Sequence, residues 1–406
     1  MKKFFLLFCF LFICSYQTIE GAIGEYISQD KTDVKFKEKL KSSQFHEYHG
    51  SRFLRSAMLE KDTLNVVCLG GSITYNPGWR DSLENYFVAR FPDKTVRMYN
   101  KGIPSLGSIA HVFRYESDVL SQVIPDILFY ESVVNDFANA YPEEEQERAV
   151  EGIIRKSIAV NSDMDIIMMY FADPDKLSDY RNGKTPKEIN LQNKIAEYYG
   201  IPAVDISREV YERIQAGEFS WEKDIKDLHP SAFGQKVYAS SIKVMLDSLL
   251  SSEEKVEKRR NLKPLCTDYY SHARYGDMRC GKGDFKYYPK YIPDNGQPTR
   301  KGFTEVPMWV GEAPGEQLIY EFEGTAVGLC FISGNDAGII RFQIDGGEFR
   351  TLDLYTEYSG RLHLPRYVIL GDKLPEGKHQ LKMEIVNDRN EQSKGNACRI
   401  VHFLVN

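Results

Sequence analysis

The chain has 406 residues, of which 42% are hydrophobic and 13% aromatic, and its formal net charge is −6. At about 100–200 residues per domain this length predicts two or three domains, and the apolar fraction excludes a wholly disordered chain. The acidic balance argues against a nucleic-acid binder that depends on a global basic field.

The first 22 residues have the pattern of a secretory signal. Two lysines precede the apolar run Phe4–Cys14, and the small pair Gly21–Ala22 is a plausible cleavage point. The run is too short to span a bilayer, and no later stretch is long and apolar enough. We therefore expect a secreted or periplasmic protein that does not span the membrane. Lipid anchoring through Cys14 is less favoured, because the residues before this cysteine are bulky.

The next segment, 23–60, is polar and mixed, and we expect it to wrap the following domain, with one helix at Lys35–Lys41. From 61 to 251, short apolar runs alternate with amphipathic stretches. The expected strands are Leu64–Leu69, Thr95–Tyr99, Asp126–Tyr130, Asp165–Phe171 and Pro202–Ile206, and the expected helices are Trp79–Phe91, His111–Gln122, Glu143–Val160, Pro186–Tyr199 and Ser231–Leu250. This alternation predicts an α/β fold with a doubly wound parallel sheet, whose site lies beyond the carboxyl ends of the strands.

The C-terminal part of the chain has a different pattern. Residues 252–300 are predicted to be a linker and a loop-rich segment, and 301–406 contain short strand patterns between turn signals. The strands expected there are Gln317–Phe322, Val327–Ile332, Ile339–Ile344, Gly360–Leu364, His379–Val386 and Arg399–Leu404. They predict an all-β sandwich of jelly-roll type. Structural support is favoured over carbohydrate binding as its role, because the turn motifs need no ligand to explain them.

Five cysteines follow the signal segment, and their odd number leaves at least one thiol unpaired. Cys68 lies in an apolar strand pattern and is expected to be a buried free thiol. Cys266 and Cys280 flank a loop-like stretch and are candidates for a disulfide in an oxidising compartment. Because no Cys-x-x-Cys pair occurs, we do not expect a structural zinc site. We also expect no other metal and no cofactor.

A candidate nucleophile stands at the end of the first expected strand, which runs into Gly70, Gly71 and Ser72. A nucleophilic serine needs a sharp turn that projects its hydroxyl from the sheet, and glycines permit that turn and let a substrate approach. The same residues also fit an ordinary strand–turn–helix junction with a capping serine.

Two further polar clusters follow strand ends. The segment Asp227-Leu228-His229-Pro230-Ser231 precedes the last expected helix, where Ser231 is a suitable cap and His229 is a candidate base. Asn135 lies in Val133-Val134-Asn135-Asp136, where an amide can donate a hydrogen bond to a developing oxyanion. In isolation each cluster also fits a surface histidine or a polar turn. Glu131, just before the second cluster, is either buried near the site or engaged in a structural hydrogen bond.

These clusters occur in an order that resembles the SGNH/GDSL hydrolase superfamily over Leu64–Leu250. Four sequence blocks stand where that family has its serine, glycine, GxND and DxxHP blocks: GGSIT at 70–74, NKGIPSLGS at 100–108, VVND at 133–136 and DLHPS at 227–231. The C-terminal part is similar to the sandwich appended to some secreted members. The resemblance implies an SGNH, flavodoxin-like sheet and serine esterase chemistry.

The resemblance also implies roles for individual residues. Ser72 matches the nucleophile, and His229 matches the base that takes its proton and later protonates the leaving group. Asn135 and the amide of Ser72 match two oxyanion donors. The family's third donor is a glycine amide, and the matching position here is Ser105, with Gly107 close by.

The chain departs from the family at two other positions. The glycine of GxND is Val133 here, and the residue three before the histidine, where the family has its acid, is Lys226. Asp227 and Asp224 flank that lysine, so the acid is one of them or is absent. A Ser–His dyad would retain the proton relay with weaker stabilisation of the imidazolium.

The expected function is that of a secreted serine esterase that removes short acyl groups, acetyl foremost, from a carbohydrate or another small ester. The substrate class rests on family analogy. Two alternatives remain open: an acyltransferase that uses the same residues on a sugar acceptor, and a non-catalytic glycan-binding protein that retains the fold. The departures from the family at Ser105, Val133 and Lys226 keep the latter open.

Overall fold

The computed structural model describes residues 60–251 and 261–406, together with the backbone of the two-residue strand β1, Phe45–His46. The expected signal segment 1–22 and the expected helix Lys35–Lys41 lie outside the described residues. Of segment 23–60, strand β1 and Glu60 are described, and β1 pairs with the edge of the first sheet.

Five parallel strands form the centre of the first domain: β2 Thr63–Gly70, β3 Thr95–Gly102, β4 Ile127–Tyr130, β5 Asp165–Met169 and β6 Ala203–Val204. The sheet order is β1-β6-β5-β4-β2-β3, with β1 antiparallel at the edge. Strand β4 is buried at every residue, as expected for a strand covered on both faces. The prediction of a doubly wound parallel sheet is confirmed.

The helices of this domain are α1 Ser72–Tyr75, α2 Trp79–Arg90, α3 Ser108–Arg114, α4 Val133–Ala138, α5 Glu143–Val160, α6 Pro174–Arg181, α7 Lys187–Tyr199, α8 Ile206–Gln215 and α9 Ala232–Ser251, with π-helical turns at Tyr115–Leu120 and Trp221–Ile225. All five expected helices are present. Within the described ranges, none combines the length and hydropathy of a membrane span.

Helices α6 and α8 were not predicted, although each begins at a recognisable cap. The carboxylate of Asp173 accepts a hydrogen bond from the Lys176 amide at 2.8 Å, and Pro174 is the first residue of α6. The carboxylate of Asp205 accepts from the Arg208 amide at 2.9 Å at the start of α8. Both are the N-cap pattern that favours a helix, so the signal was present in the sequence.

The second domain is a sandwich of two antiparallel sheets. Its strands are β7 Arg274–Tyr275, β8 Gly281–Gly283, β9 Lys286–Tyr291, β10 Val306–Gly311, β11 Gln317–Glu323, β12 Val327–Ser333, β13 Ile339–Ile344, β14 Arg350–Asp353, β15 Leu364–Gly371, β16 Lys378–Ile385 and β17 Cys398–Val405. One sheet has the order β15-β12-β17-β10-β9 with β7 on β17, and the other has β14-β13-β16-β11-β8. The prediction of an all-β sandwich is confirmed.

Two details of this domain differ from expectation. The predicted strand Gly360–Leu364 is turn and bend up to residue 362, His363 forms an isolated bridge with Thr299, and β15 begins at Leu364. The turn is held by Ser359, whose amide donates to the carbonyl of Thr356 at 2.9 Å. The segment 252–300, expected to be a linker and loops, supplies strands β7, β8 and β9 to the two sheets.

The candidate disulfide between Cys266 and Cys280 is absent, and that prediction is wrong, because both cysteines are free thiols. The Sγ atom of Cys266 donates to the Asp268 carboxylate at 3.2 Å. Cys280 instead ends a short 3₁₀ turn and packs against the sandwich core. Cys68 is a buried free thiol, as expected.

The two domains pack against each other through an apolar core and an ionic cluster. Phe303, Met308 and Tyr367 of the sandwich belong to the same buried cluster as the core of the parallel sheet. At the edge of this contact, the buried guanidinium of Arg148 pairs with the carboxylates of Asp372 and Asp268. The sandwich is therefore joined to the first domain by a continuous core.

Candidate active site

The candidate site lies at the carboxyl ends of β2 and β4, which are neighbours in the sheet although β3 lies between them in the chain. Doubly wound sheets bind ligands at this point, where the strand order reverses and a crevice opens. Ser72 begins α1 directly after β2, and Asn135 lies in α4 after β4.

His229 approaches this crevice from the loop before α9. Its Nε2 atom lies 2.8 Å from the Oγ atom of Ser72, although 157 residues separate the two in the chain. Ser72 is half-buried and His229 is exposed. Ser231 caps α9 as expected, because its Oγ atom accepts a hydrogen bond from the Gly234 amide at 3.3 Å. The structure thus brings the expected nucleophile and base into hydrogen-bond contact.

The side chain of Asn135 is buried beside the turn that carries Ser72. Its Nδ2 atom lies 1.9 Å from the place where a β-carbon on Gly71 would stand, and the Leu106 carbonyl oxygen lies 3.4 Å from the same place. A side chain at position 71 would therefore displace the Asn135 amide. The glycine lets this donor reach the backbone next to Ser72.

Glu131 holds the turn that carries Ser72 through hydrogen bonds. Its Oε1 atom accepts hydrogen bonds from the Gly71 amide at 2.5 Å and from the Oγ1 atom of Thr74 at 2.9 Å, so one carboxylate holds the chain on both sides of Ser72. Burial raises the pKa of Glu131 to about 7. Of the two roles left open for this residue, the structure shows burial near the site and a structural hydrogen bond together.

Asp136, the neighbour of Asn135, is turned toward a different element. Its carboxylate accepts a hydrogen bond from the Ser108 amide at 2.6 Å, at the start of α3, where the helix dipole favours an anion. Burial raises the pKa of Asp136 to about 7. The adjacent residues Asn135 and Asp136 therefore fix the serine turn and the Ser105–Gly107 loop relative to each other.

The two candidates for the third oxyanion donor differ in their surroundings. Gly107 is buried against the Asp136 carboxylate. Ser105 is half-buried and has a φ of 73°, a left-handed conformation that disfavours residues with a β-carbon. Its carbonyl accepts a hydrogen bond from the Nδ2 atom of Asn139 at 3.0 Å.

The two candidate acids make other contacts. The Asp224 carboxylate accepts from the amide and hydroxyl of Ser220 at 2.7 and 3.2 Å. Asp227 accepts from the amide of Leu228. Over the described ranges, neither carboxylate is hydrogen-bonded to His229. Lys226, at the position of the family's acid, has a φ of 78°.

Sequence reasoning missed Asn139, and with it Arg366 of the sandwich. The guanidinium of Arg366 donates to the Oδ1 atom of Asn139 at 2.5 Å and to its carbonyl at 3.4 Å. Asn139 stands four residues after Asn135, one helical turn along, which is the signal that places both near the same edge. No local pattern points to Arg366, which is 227 residues away.

In the two described ranges no group of three His, Cys, Asp or Glu side chains is arranged to hold a metal.

The chain is similar to one protein family and to several solved structures. The GDSL-like Lipase/Acylhydrolase family matches residues 68–237. No curated protein matches the chain by sequence. A two-domain esterase active on acetylated mannans, co-crystallised with mannopentaose, superposes with a TM-score of 0.69 at 20% identity, covering 84% of this chain and 90% of that chain. A second structure of a two-domain esterase active on acetylated mannans gives a TM-score of 0.67 at 19% identity, covering 84% and 91%. Axe2, an acetylxylan esterase from Geobacillus stearothermophilus, aligns with 48% of this chain and 97% of its own, with a TM-score of 0.37 and 20% identity.

The matched region contains the end of β2, β4 and the loop of His229, and the two-domain structures cover the sandwich as well. Residues 68–237 therefore form a GDSL-like lipase/acylhydrolase domain, which makes this part of the chain a carboxylic ester hydrolase. The β sandwich that follows gives the chain the same two-domain fold as the esterases active on acetylated mannans.

Proposed function

We propose that this hydrolase removes short acyl groups, acetyl foremost, from esters of carbohydrates through an acyl-enzyme on Ser72. The observation that carries the proposal is the 2.8 Å contact between the Oγ atom of Ser72 and the Nε2 atom of His229, beside the buried amide of Asn135. A hydroxyl, a base within hydrogen-bond reach and a nearby amide donor are the parts that acyl transfer needs.

In the proposed reaction the Ser72 oxygen attacks the ester carbonyl while His229 takes its proton. The tetrahedral oxyanion accepts hydrogen bonds from the Asn135 amide and from the backbone amides of Ser72 and Ser105. His229 then gives the proton to the departing sugar hydroxyl, and the acyl–oxygen bond to the sugar breaks. Water repeats the sequence on the acyl-enzyme and releases the acid. The histidine acts here without an assigned acid, because Asp224 and Asp227 make other contacts.

The carbohydrate part of the proposal rests on the open setting of the site and on the shared domain pair. Ser72 is half-buried and His229 exposed, so an ester on a bulky polymer can reach them. The esterase active on acetylated mannans has the same two-domain arrangement. We extend its class of substrate, acetylated glycans, to this chain.

The test is acetate release from acetylated mannan and xylan by the wild type, by Ser72→Ala and by Ser121→Ala, a matched change of an exposed serine on another helix end. We expect release by the wild type and the control only. Chromogenic acetate, butyrate and octanoate esters then order the acyl chain lengths, with acetate expected to be fastest. Equal release by wild type and Ser72→Ala would overturn the proposal. Transfer of the acyl group to an added sugar in preference to water would favour the acyltransferase instead.

We also propose that the protein is exported, with cleavage after residue 22. The support is the lysine pair and the apolar run Phe4–Cys14 at the start of the chain. Mass spectrometry of the N-terminal peptide from the secreted and membrane fractions tests this. A mature chain that begins at residue 23 is expected. An intact Met1 in the cytosol, or a lipidated Cys14 in the membrane fraction, would contradict it.

A further inference from the structure

The loop that carries Ser105 is held in a conformation that its sequence does not favour. Ser105 has a φ of 73°, which costs a residue with a β-carbon about 1–2 kcal/mol relative to glycine. The family has glycine at this position, and glycine adopts this conformation without strain. Since the chain has serine here, other contacts must stabilise the left-handed turn.

Those contacts come from Asn139, the residue that caps the end of α4, and from the sandwich. The Ser105 carbonyl accepts from the Nδ2 atom of Asn139 at 3.0 Å, and the Oδ1 atom of Asn139 accepts from Arg366 of β15 at 2.5 Å. Arg366 also donates to the carbonyl of Asn139 at 3.4 Å. A second sandwich residue, Arg300, reaches the Ser105 hydroxyl at 3.5 Å. Both polar atoms of the Asn139 side-chain amide are thus hydrogen-bonded. The partner of Oδ1, which orients the amide, belongs to the other domain.

The same loop lies beside the turn that carries Ser72. The carbonyl of Leu106, the residue after Ser105, approaches the backbone of Gly71. Among the described residues, the Ser105 amide has no hydrogen-bond partner, so it is available to a ligand. Helix α4 carries Asn135, and Asn139 caps its C-terminal end one turn later, so this short element links the side-chain donor to the loop of the backbone donor.

We propose that the sandwich is a working part of the active site: Arg366, acting through Asn139 and supported by Arg300, is a positioning residue that holds the Ser105 amide as an oxyanion donor. This proposal rests on the proposed esterase function. Glycine would adopt this left-handed turn without strain. In this chain the contacts of Arg366 and Arg300, which we call the brace, stabilise the turn from the second domain. Loss of the brace therefore affects the transition state more than the binding of substrate, because the oxyanion forms only during the reaction.

The experiment compares Arg366→Gln and Asn139→Ala with Lys373→Gln in the full chain. Lys373 is a matched control, because it pairs with Glu144 across the same domain interface but away from the loop. With a chromogenic acetate, we expect Arg366→Gln and Asn139→Ala to lower kcat about tenfold with KM unchanged, a partial loss compared with the roughly 10²–10³ of a deleted donor. Lys373→Gln is expected to keep the wild-type kcat. Equal thermal midpoints for the variants show that folding is retained.

The decisive arm is the background Ser105→Gly, in which the left-handed turn needs no brace. There Arg366→Gln should lower kcat by less than twofold. A merely structural role for Arg366 would give the same loss in both backgrounds and would overturn the proposal, as would a wild-type kcat for Arg366→Gln in the Ser105 chain.

A second assay tests the role of Arg366 even if the proposed esterase function is wrong. If no tested ester is hydrolysed, labelling by a fluorophosphonate still reports on the loop: the Ser72 oxygen bonds to phosphorus, fluoride leaves, the serine proton passes to His229, and the phosphoryl oxygen occupies the oxyanion site. Slower labelling of Arg366→Gln than of Lys373→Gln supports the brace, and equal labelling contradicts it, whatever the natural ester is.

Discussion

The side-chain amide of Asn135 occupies the space that a β-carbon on Gly71 would need, with its Nδ2 atom 1.9 Å from that position. Real β-carbons do not approach other atoms so closely, so an alanine at position 71 must push the amide aside. This relationship gives the second glycine of the Gly-Gly-Ser turn a role in the proposed chemistry, since it determines where the oxyanion donor stands.

We therefore predict that Gly71→Ala lowers kcat for a chromogenic acetate at least about tenfold, because the displaced amide no longer reaches the developing oxyanion. Steady-state kinetics measure the change, and KM is expected to stay within about threefold of the wild type. Gly360→Ala is the matched control, since the nearest atom to its added β-carbon is 3.6 Å away. A Gly71→Ala enzyme with full kcat would show that the contact does not serve catalysis.

Asn135→Ala removes the same donor directly and is predicted to lower kcat by about 10²–10³, the usual loss for one side-chain oxyanion donor. The two changes act through one contact, so they are not additive. In the Asn135→Ala background, Gly71→Ala should cost less than about twofold more, because the amide it displaces is already gone. A full multiplicative loss in the double variant would mean that Gly71 acts through something other than Asn135.

Replacement of either candidate acid, Asp224 or Asp227, is predicted to change kcat only slightly. Because neither carboxylate contacts His229 in the described ranges, Asp224→Asn and Asp227→Asn are each expected to keep kcat within about tenfold, against the roughly 10⁴-fold loss seen when a triad aspartate is replaced. His229→Ala is the positive control and should lose at least about 10³-fold. A loss of that size in one aspartate variant alone, at an unchanged thermal midpoint, would identify that residue as the acid.

The fold was largely predictable because its signals are local. The near-continuous apolar run at 64–69 followed by Gly-Gly-Ser shows a buried strand and a turn, and β2 with α1 lies there. The ends of elements were less predictable. Helix α3 begins at Ser108 rather than His111, because its first amide donates to Asp136, 28 residues away, and no local pattern shows that partner.

Some residues of the candidate site were predictable from the sequence and others were not. Ser72, Asn135 and His229 each follow a strand end, so the parallel sheet itself brings them to one edge. Spacing did not identify an acid, and in the described residues neither Asp224 nor Asp227 is hydrogen-bonded to His229. Lys226, at the family's acid position, has a φ of 78°. Arg366 has no signal at all in the chain, since its role depends on how two domains pack.

The buried carboxyl beneath the serine turn makes folding stability depend on pH. Burial raises the pKa of Glu131 from its ordinary 4.5 to about 7. Between these values the folded protein retains a proton that the unfolded chain releases, so the free energy of unfolding falls as pH rises from about 4.5 to 7 and levels off above that. Asp136 has a pKa raised to about 7 for the same reason and contributes in the same direction.

Glu131→Gln isolates one of these titrations, because glutamine has the same shape and no charge. We predict that the stability of the wild type relative to Glu131→Gln decreases as pH rises from 5 to 7, by at most about 1.4 kcal/mol per pH unit. Urea unfolding of both proteins at pH 5, 6, 7, 8 and 9 measures the difference, and the contribution of Asp136, common to both, cancels. The values at pH 8 and 9 are an internal control and should agree, since Glu131 is then ionised in both the folded and unfolded states of the wild type. A difference that is constant from pH 5 to 9, or one that grows in favour of the wild type, would show that Glu131 is already ionised in the folded protein at pH 5. The carboxylate would then hold the turn on both sides of Ser72 as an anion throughout the working range of the enzyme.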